Sequence, residues 1–223
     1  MSAKNPDSGG IAVIGLGRFG SRLAESLSAL GHEVLAIDHD SRRVQKWSAQ
    51  LDQVAQADST DDQALRQLGV ADLSRVVVAI GASVESSVLT VLALVELGVP
   101  QIWARATSMQ HSKILAAVGA HHVIFPEKET GERLAHLIAS RMLDFMEFGD
   151  AFAIAKMHVP EPLAGRGMSE EQLLDRYGVR IIGIKSPSEQ RYHFVSDGLE
   201  LGPDDIVIVE GTIEQVQAFA SLS

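Results

Sequence analysis

Over residues 11–128, short apolar runs alternate with longer segments whose apolar residues recur at helical spacing. Ile11–Ile14, Val34–Ile37 and Val76–Ala79 are the clearest short runs, and such continuous runs predict strands buried on both faces. The segment from Gly17 to Leu30 is typical of an intervening helix, and Ser41 predicts the start of another helix that continues to Leu51. Repeated alternation of this kind predicts an α/β fold, a Rossmann-type doubly wound parallel sheet.

A long amphipathic segment follows this sheet, from about Glu129 to Phe148. The apolar positions of the segment make a broad stripe if the segment is helical: Leu134, Leu137, Ile138, Met142, Phe145 and Met146. One interpretation is a helix that packs on its own domain. We favour a connector helix whose apolar stripe forms a dimer contact with a second copy of the chain.

The pattern changes again near Ala151. Strand-like runs end at Val159, Ile184, Val195 and Val209, the third of them beginning at Tyr192. They are interspersed with helical segments over 170–177 and from Thr212 onward, which predicts a small α+β domain. The predicted organisation is a disordered N-terminal tail over 1–10, a Rossmann nucleotide-binding domain over 11–128, a connector and dimerisation helix over 129–149, and a small α+β C-terminal domain over 150–223.

Composition narrows the functional classes. The chain has no cysteine, which excludes disulfides and thiolate metal sites, and its formal net charge of −10 argues against a nucleic-acid-binding surface. The N-terminus lacks the apolar core of a signal peptide, and no apolar run approaches the roughly 20 residues that cross a bilayer. We therefore expect a cytoplasmic protein that reaches a membrane only through a partner.

A glycine-rich turn lies between the first predicted strand and the first predicted helix, the context that gives a Gly-x-Gly-x-x-Gly pattern its meaning. The turn consists of Gly15, Leu16, Gly17, Arg18, Phe19 and Gly20. Gly15 permits a tight turn, Gly17 lets backbone N–H groups approach a phosphate, and Gly20 lets helix and strand pack closely. The N-terminus of the following helix presents free N–H groups that favour a phosphate anion, so we expect an adenine nucleotide here.

Asp38 ends the second predicted strand, 18 residues after Gly20. A carboxylate at this point accepts hydrogen bonds from ribose hydroxyls and repels a 2′-phosphate, which disfavours NADP and leaves NAD, ATP and ADP open. Further candidates lie just after the predicted strands, whose carboxyl ends share one edge of a parallel sheet: His39 beside Asp38, and Asp58, Ser59, Ala79, Ile80, Gly81, Arg105 and Glu127 after the later strands.

Four charged residues bear on which further ligand groups the site binds. Arg18, inside the turn, is either a solvated arginine or a ligand for a terminal phosphate. Asp58 either accepts from the adenine amino group or belongs to a helix start, and Arg105 is a second phosphate candidate. From the residues alone, Glu127 is either an acid at a helix start or a ligand for a hard cation such as Mg²⁺.

No catalytic constellation is found: the sequence has no Ser-His-Asp candidate, no HExxH and no Walker A pattern. The region over 150–223 is too small to hold a reducible substrate above a nicotinamide, so we expect a sensor and not an enzyme. An NAD(H)-binding redox sensor or an NAD-dependent oxidoreductase stays open as the alternative, and so does a scaffold with a vestigial site.

From about Ile11 to its end, the chain resembles a known family. The match is weaker in the second domain, at 159–162 and 177–184, and close in four segments, Ile14–Gly20, Val34–Asp38, Val78–Ala82 and Pro126–Gly131. They are similar to the KtrA/TrkA-type RCK (regulator of conductance of potassium) regulatory subunits of bacterial potassium uptake systems. The resemblance implies a cytosolic homo-oligomer, dimers assembling into an octameric ring, docked on a membrane potassium-translocating subunit of KtrB/TrkH type. It also implies that ATP activates and that ADP binds an inactive ring.

The resemblance implies roles for single residues as well. Arg18 matches an arginine that reaches the γ-phosphate of the neighbouring subunit's nucleotide, and Arg105 matches a position that is lysine or arginine in relatives. Glu127 matches a glutamate that places a divalent cation between paired nucleotides. Relatives that bind cyclic di-AMP have an arginine where this chain has Leu174, with Arg176 nearby, so that site departs from the family pattern.

Overall fold

The computed structural model describes residues 9–149, 151–194 and 199–222. Most of the predicted N-terminal tail falls on residues 1–8, outside the described residues. The chain forms two compact units that divide between Glu127 and Lys128, and each unit is described by itself below.

The first unit is built on a six-stranded sheet in the order β3-β2-β1-β4-β5-β6, and every pairing in it is parallel. The strands are β1 (Ile11–Ile14), β2 (Val34–Asp38), β3 (Gln53–Gln56), β4 (Arg75–Val78), β5 (Gln101–Arg105) and β6 (His122–Ile124). The order reverses between β1 and β4, which is the switch point where such sheets bind ligands. The predicted doubly wound α/β fold is confirmed.

Helices cover both faces of this sheet. They are α1 (Arg18–Ala29), α2 (Ser41–Trp47), α3 (Asp62–Gln67), α4 (Val84–Glu96) and α5 (Met109–Ala117), and α6 (Pro126–Ala139) follows the last strand. On one face Ala24 and Trp47 pack with Val13, and on the other Leu94 and Leu115 pack with strand residues. Burial on both faces explains why β1 is wholly apolar.

Helix α2 is shorter than its sequence predicts, and Ser41 is not its N-cap. Asp40 caps the helix, because its side chain accepts a hydrogen bond from the Arg42 N–H at 2.9 Å. The helix ends at Trp47, whose carbonyl oxygen accepts from the N–H groups of Gln50 and Leu51 in a closing turn.

The second unit contains a four-stranded antiparallel sheet in the order β10-β12-β8-β7. Its strands are β7 (Met142–Phe148), β8 (Phe152–His158), β10 (Arg180–Lys185) and β12 (Ile206–Thr212). Outside this sheet, β9 (Gly167–Met168) pairs with β11 (Leu199–Glu200). The unit also contains most of α6 and the helices α7 (Glu170–Tyr177) and α8 (Ile213–Ala220). Capping boxes at Ser169 and Thr212 begin α7 and α8. The small α+β domain is confirmed.

The predicted helix over 129–148 is wrong in its second half. Helix α6 ends at Ala139, the Ser140 hydroxyl donates back to the His136 carbonyl at 2.6 Å, and β7 begins at Met142. The register of β7 against β8 shifts between Met142 and Asp144. This bulge places the buried Met142 and Phe145 three positions apart, a spacing that imitates a helix.

The strand predicted from Tyr192 to Val195 is also wrong in its described part. Only His193 there pairs, through an isolated antiparallel bridge to Ile184, and Val195 lies outside the described residues. Within the described part of the chain, no helix is long and apolar enough to cross a membrane.

Candidate functional site

The glycine turn joins β1 to α1 as its sequence predicts. Gly15 adopts φ +99°, in the region that favours glycine, and its N–H donates to the Ile37 carbonyl at 2.7 Å. A Cβ on Gly20 would overlap the carbonyl oxygen of Gly15, so α1 packs directly against the turn. Gly17 is the N-cap of α1, and no side chain caps the helix there. The N-terminus of α1 is therefore free to receive an anion.

Asp38 lies at the end of β2, next to this turn, and is 3% exposed. One oxygen, Oδ2, accepts from the Leu16 N–H at 2.6 Å and from Arg43 Nη1 at 3.2 Å. The other, Oδ1, accepts from the Asp40 N–H at 2.9 Å and lies 3.4 Å from His39 Nδ1. Each oxygen thus has one backbone donor fixed by the fold and one exposed side-chain neighbour that a ligand hydroxyl can replace.

A cleft of about 640 Å³ opens at the carboxyl ends of the strands. Most of the predicted site residues line it together: Gly15, Gly17, Arg18, Asp38, His39, Asp58, Ser59, Ala79, Ile80, Gly81 and Arg105. Leu16, Phe19, Gly20 and Glu127 do not line it. Leu16 is buried in the core, where its N–H still fixes Asp38.

Arg18 is an exposed side chain at the mouth of the cleft. Within the described part of the chain it has no hydrogen-bonded or ion-paired partner, and its charge acts on Glu127. An unpaired guanidinium at the N-terminus of a helix is an available donor fork for a phosphate.

Arg105 is the last residue of β5, and Glu127 lies in the first turn of α6, just after β6. Their side chains form a hydrogen-bonded ion pair. This bond, with a smaller contribution from Arg18, lowers the pKa of Glu127. The Arg105 guanidinium also lies 5.8 Å from the centre of the Phe19 ring. It passes so close to Gly81 that a Cβ at Gly81 would displace it. Gly81 therefore makes room for the ion pair.

Asp58 and Ser59, which follow β3 after Ala57, already make hydrogen bonds within the protein. Asp58 Oδ1 accepts from the N–H of Thr60 at 2.9 Å and from its hydroxyl at 2.7 Å, and these bonds lower the pKa of Asp58. The Ser59 hydroxyl is buried and shares a 2.8 Å hydrogen bond with Thr90. Asp58 is thus ionised and held in a turn beside the cleft, with its second oxygen left for a ligand.

The chain alone fits a metal ion poorly. The described residues contain no group of three or more His, Asp or Glu side chains that could hold one. Glu127 is a single carboxylate, and its Oε1 is already paired with Arg105. A cation at Glu127 therefore stays a prediction that depends on oxygen ligands from a phosphate.

Sequence reasoning missed several residues that line the cleft: Arg43, Ala57, Ala82, Ser83 and Ser86. Ala82 directly follows the predicted site residue Gly81, and Ser83 comes next, so their position after a strand indicates both of them. Arg43 was not, because it lies on α2 and is brought back to Asp38 only by the turn between β2 and α2.

Comparison with known proteins supports a specific family. Residues 11–126 match the TrkA-N domain and residues 152–223 the TrkA-C domain. The chain is 34% identical over 209 residues to the Ktr system potassium uptake protein C of Bacillus subtilis (strain 168), covering 93% of this chain and 94% of that protein.

Two solved structures share the fold. The GsuK RCK domain superposes with a TM-score of 0.67 at 21% identity, over 98% of this chain and 48% of that one. The GsuK channel bound to NAD superposes with a TM-score of 0.65 at 21% identity, over 98% of this chain and 40% of that one. The chain thus spans less than half the length of these structural relatives. With both domains in order and a relative matched over nearly its full length, the chain belongs to the KtrA/TrkA-type family of potassium uptake proteins.

Proposed function

We propose that this chain is a regulatory subunit that binds ATP or ADP in the cleft and controls potassium flux through a membrane partner. The membership of the potassium uptake family supports the transport role. The cleft supports the nucleotide, because it combines an uncapped helix N-terminus for phosphates with a buried carboxylate for the ribose.

The observation that carries the proposal is the position of Arg18. ATP and ADP differ by one phosphate, so a protein that responds differently to them needs a group that contacts only that phosphate. Arg18 is a cation at the cleft mouth without a partner among the described residues, while Asp38 and the turn are common to both nucleotides. Arg18 thus supplies the differential contact, to its own nucleotide or to that of a neighbouring subunit.

The Arg105–Glu127 pair provides a route from the phosphates to the rest of the chain. Arg105 lines the cleft, and Glu127 lies in the first turn of α6. A phosphate that draws Arg105 away from Glu127 changes the charge balance at the start of α6. The terminal phosphate, Arg105 and α6 then form one responsive unit.

We also propose how the subunits assemble and where they act. The subunit acts as a homo-oligomer, dimers forming an octameric ring, on the cytoplasmic face of the membrane beside a KtrB/TrkH-like translocating subunit. Its role is regulatory and not catalytic.

The decisive test identifies the nucleotide. The protein is purified without added nucleotide, the bound species is released and identified by mass spectrometry, and potassium flux through the reconstituted membrane partner is measured with ATP, ADP and NADH. We expect ATP or ADP in the released fraction and a flux that differs between the two. NAD(H) as the resident species, with flux that follows the NADH/NAD ratio, would establish the redox-sensor alternative.

A further inference from the structure

A second groove, of about 570 Å³, lies on the other side of the glycine turn, between α1 and α2. Four cationic side chains line it: Arg18, Arg22, Arg43 and Lys46. No acidic side chain does, although the whole chain carries a formal net charge of −10. The groove is therefore a local concentration of positive charge that attracts an anionic group.

The groove is continuous with the nucleotide cleft. Gly17, Arg18 and Arg43 line both. Arg43 is the link to the ribose end, because its guanidinium donates to Asp38 Oδ2 at 3.2 Å. Asp38 is the acceptor for the ribose hydroxyls in the proposed function, so Arg43 and the groove begin one hydrogen bond away from the ribose.

The cationic side chains of the groove differ in whether they already form ion pairs within the protein. Arg22 is paired with Glu25 at 2.6 Å, and Arg43 contacts Asp38 and, at 3.9 Å, Asp40. Lys46 has no ion-pair partner among the described residues; its ammonium group lies 5.3 Å from the centre of the buried Trp47 ring. Lys46 is thus a cation held beside the groove and available to a ligand.

We infer that this groove is a subsite for a phosphate on the ribose, so that the chain accepts 2′-phosphorylated adenine nucleotides. The inference rests on the proposed function and revises the expectation that Asp38 disfavours NADP. A lone carboxylate repels a 2′-phosphate, but here Arg43 offsets the Asp38 charge and Lys46 adds a second cation. A guanidinium can bond a carboxylate and a phosphate together through its several donors.

The test compares two small ligands that differ only in the 2′-phosphate, 5′-AMP and adenosine 2′,5′-bisphosphate. Both are titrated calorimetrically into the full-length protein and into Lys46→Ala, Arg43→Ala and Arg42→Ala. Arg42 is the matched control, because it precedes Arg43 on α2, pairs with Asp40 and lines neither the cleft nor the groove.

We expect the wild-type protein to bind the bisphosphate at least as tightly as 5′-AMP. Lys46→Ala weakens binding of the bisphosphate by about tenfold, the loss of one charge-assisted contact, while the affinity for 5′-AMP changes by less than about threefold. Because Arg43 also contacts Asp38, the readout for Arg43→Ala is the ratio of the two affinities, which falls about tenfold against the bisphosphate. Arg42→Ala leaves both affinities unchanged.

The inference is overturned if the wild-type protein binds 5′-AMP but rejects the bisphosphate by about tenfold or more, the loss expected for an unfavourable charge. An equal loss in Arg42→Ala and Lys46→Ala also overturns it, because the effect is then general charge attraction. If neither ligand binds and ATP and ADP do not bind either, the proposed function has failed as well. Retained ATP binding with rejection of the bisphosphate refutes the subsite alone.

Discussion

The Asp38 carboxylate accepts a hydrogen bond from the backbone N–H of Leu16, 22 residues earlier in the chain, at 2.6 Å. This bond ties the ribose-binding end of the cleft to the phosphate-binding turn. Because both groups are buried, the bond is shielded from water, and the two ends of the site keep a fixed separation.

Asp38→Ala should therefore damage both stability and binding. It leaves the Leu16 N–H buried without its acceptor, which costs about 1–3 kcal/mol of unfolding free energy, and it removes the ribose acceptor. Urea denaturation and ATP titration measure the two losses. Asp52→Ala, at an exposed position, is the control and should change neither. Full stability with lost binding would mean that Asp38 contacts the ligand only.

Substitutions at two glycines of the turn should have different effects, one on the stability of the fold and the other on nucleotide binding. Gly20→Ala forces a Cβ into the Gly15 carbonyl oxygen and should cost about 1–3 kcal/mol of stability. A Cβ on Gly17 would meet no heavy atom within 4 Å, and Gly17 has φ −69°, so Gly17→Ala should leave the fold unchanged. The added Cβ obstructs a phosphate, however, and should weaken ATP binding. Thermal unfolding with and without ATP distinguishes them. Equal stability of the two variants would contradict the packing described for α1.

Because of the Arg105–Glu127 ion pair, the stability of the fold should depend on pH. Because the folded protein lowers the pKa of Glu127 below its ordinary value near 4.5, the pair stabilises the fold above about pH 4.5. That contribution is lost as the pH falls through the lowered pKa. Carboxyl carbon NMR of the Glu127 side chain should show its pKa rising in Arg105→Ala. Arg18→Ala should raise it less, because Arg105 is the larger cause. Equal shifts in both variants would contradict this assignment.

Assembly should depend on exposed apolar residues near the start of the second unit. Ile138 on α6 is 83% exposed and Met146 on β7 is 60% exposed, which is costly unless a partner covers them. Ile138→Asp and Met146→Asp should each shift sedimentation toward smaller species while keeping the circular dichroism of the fold. Leu30→Asp, an equally drastic change at an exposed position of the first unit, is the control. Unchanged sedimentation in both test variants would place the contact elsewhere.

Much of the site could be predicted from the sequence because it depends on local rules. A glycine turn between strand and helix, and an acid at the end of the next strand, need no knowledge of distant contacts. The pairing of Arg105 with Glu127 could not be predicted, because it depends on the adjacency of β5 and β6. The end of α6 was missed because the bulge in β7 gives Met142 and Phe145 a helical spacing. Arg43 was missed because a polar helical surface gives no sign of which arginine turns back toward Asp38.

The central claim is that Arg18 distinguishes ATP from ADP. Calorimetric titration of both nucleotides into wild-type protein, Arg18→Ala and Arg22→Ala tests it most directly. Arg22 is the control because it lies on the same helix, is exposed and is paired with Glu25. The account predicts that Arg18→Ala loses most of the ATP preference, about tenfold for one charge-assisted phosphate contact, with ADP affinity nearly unchanged, and that Arg22→Ala behaves as wild type. An ATP preference that survives in Arg18→Ala would contradict it.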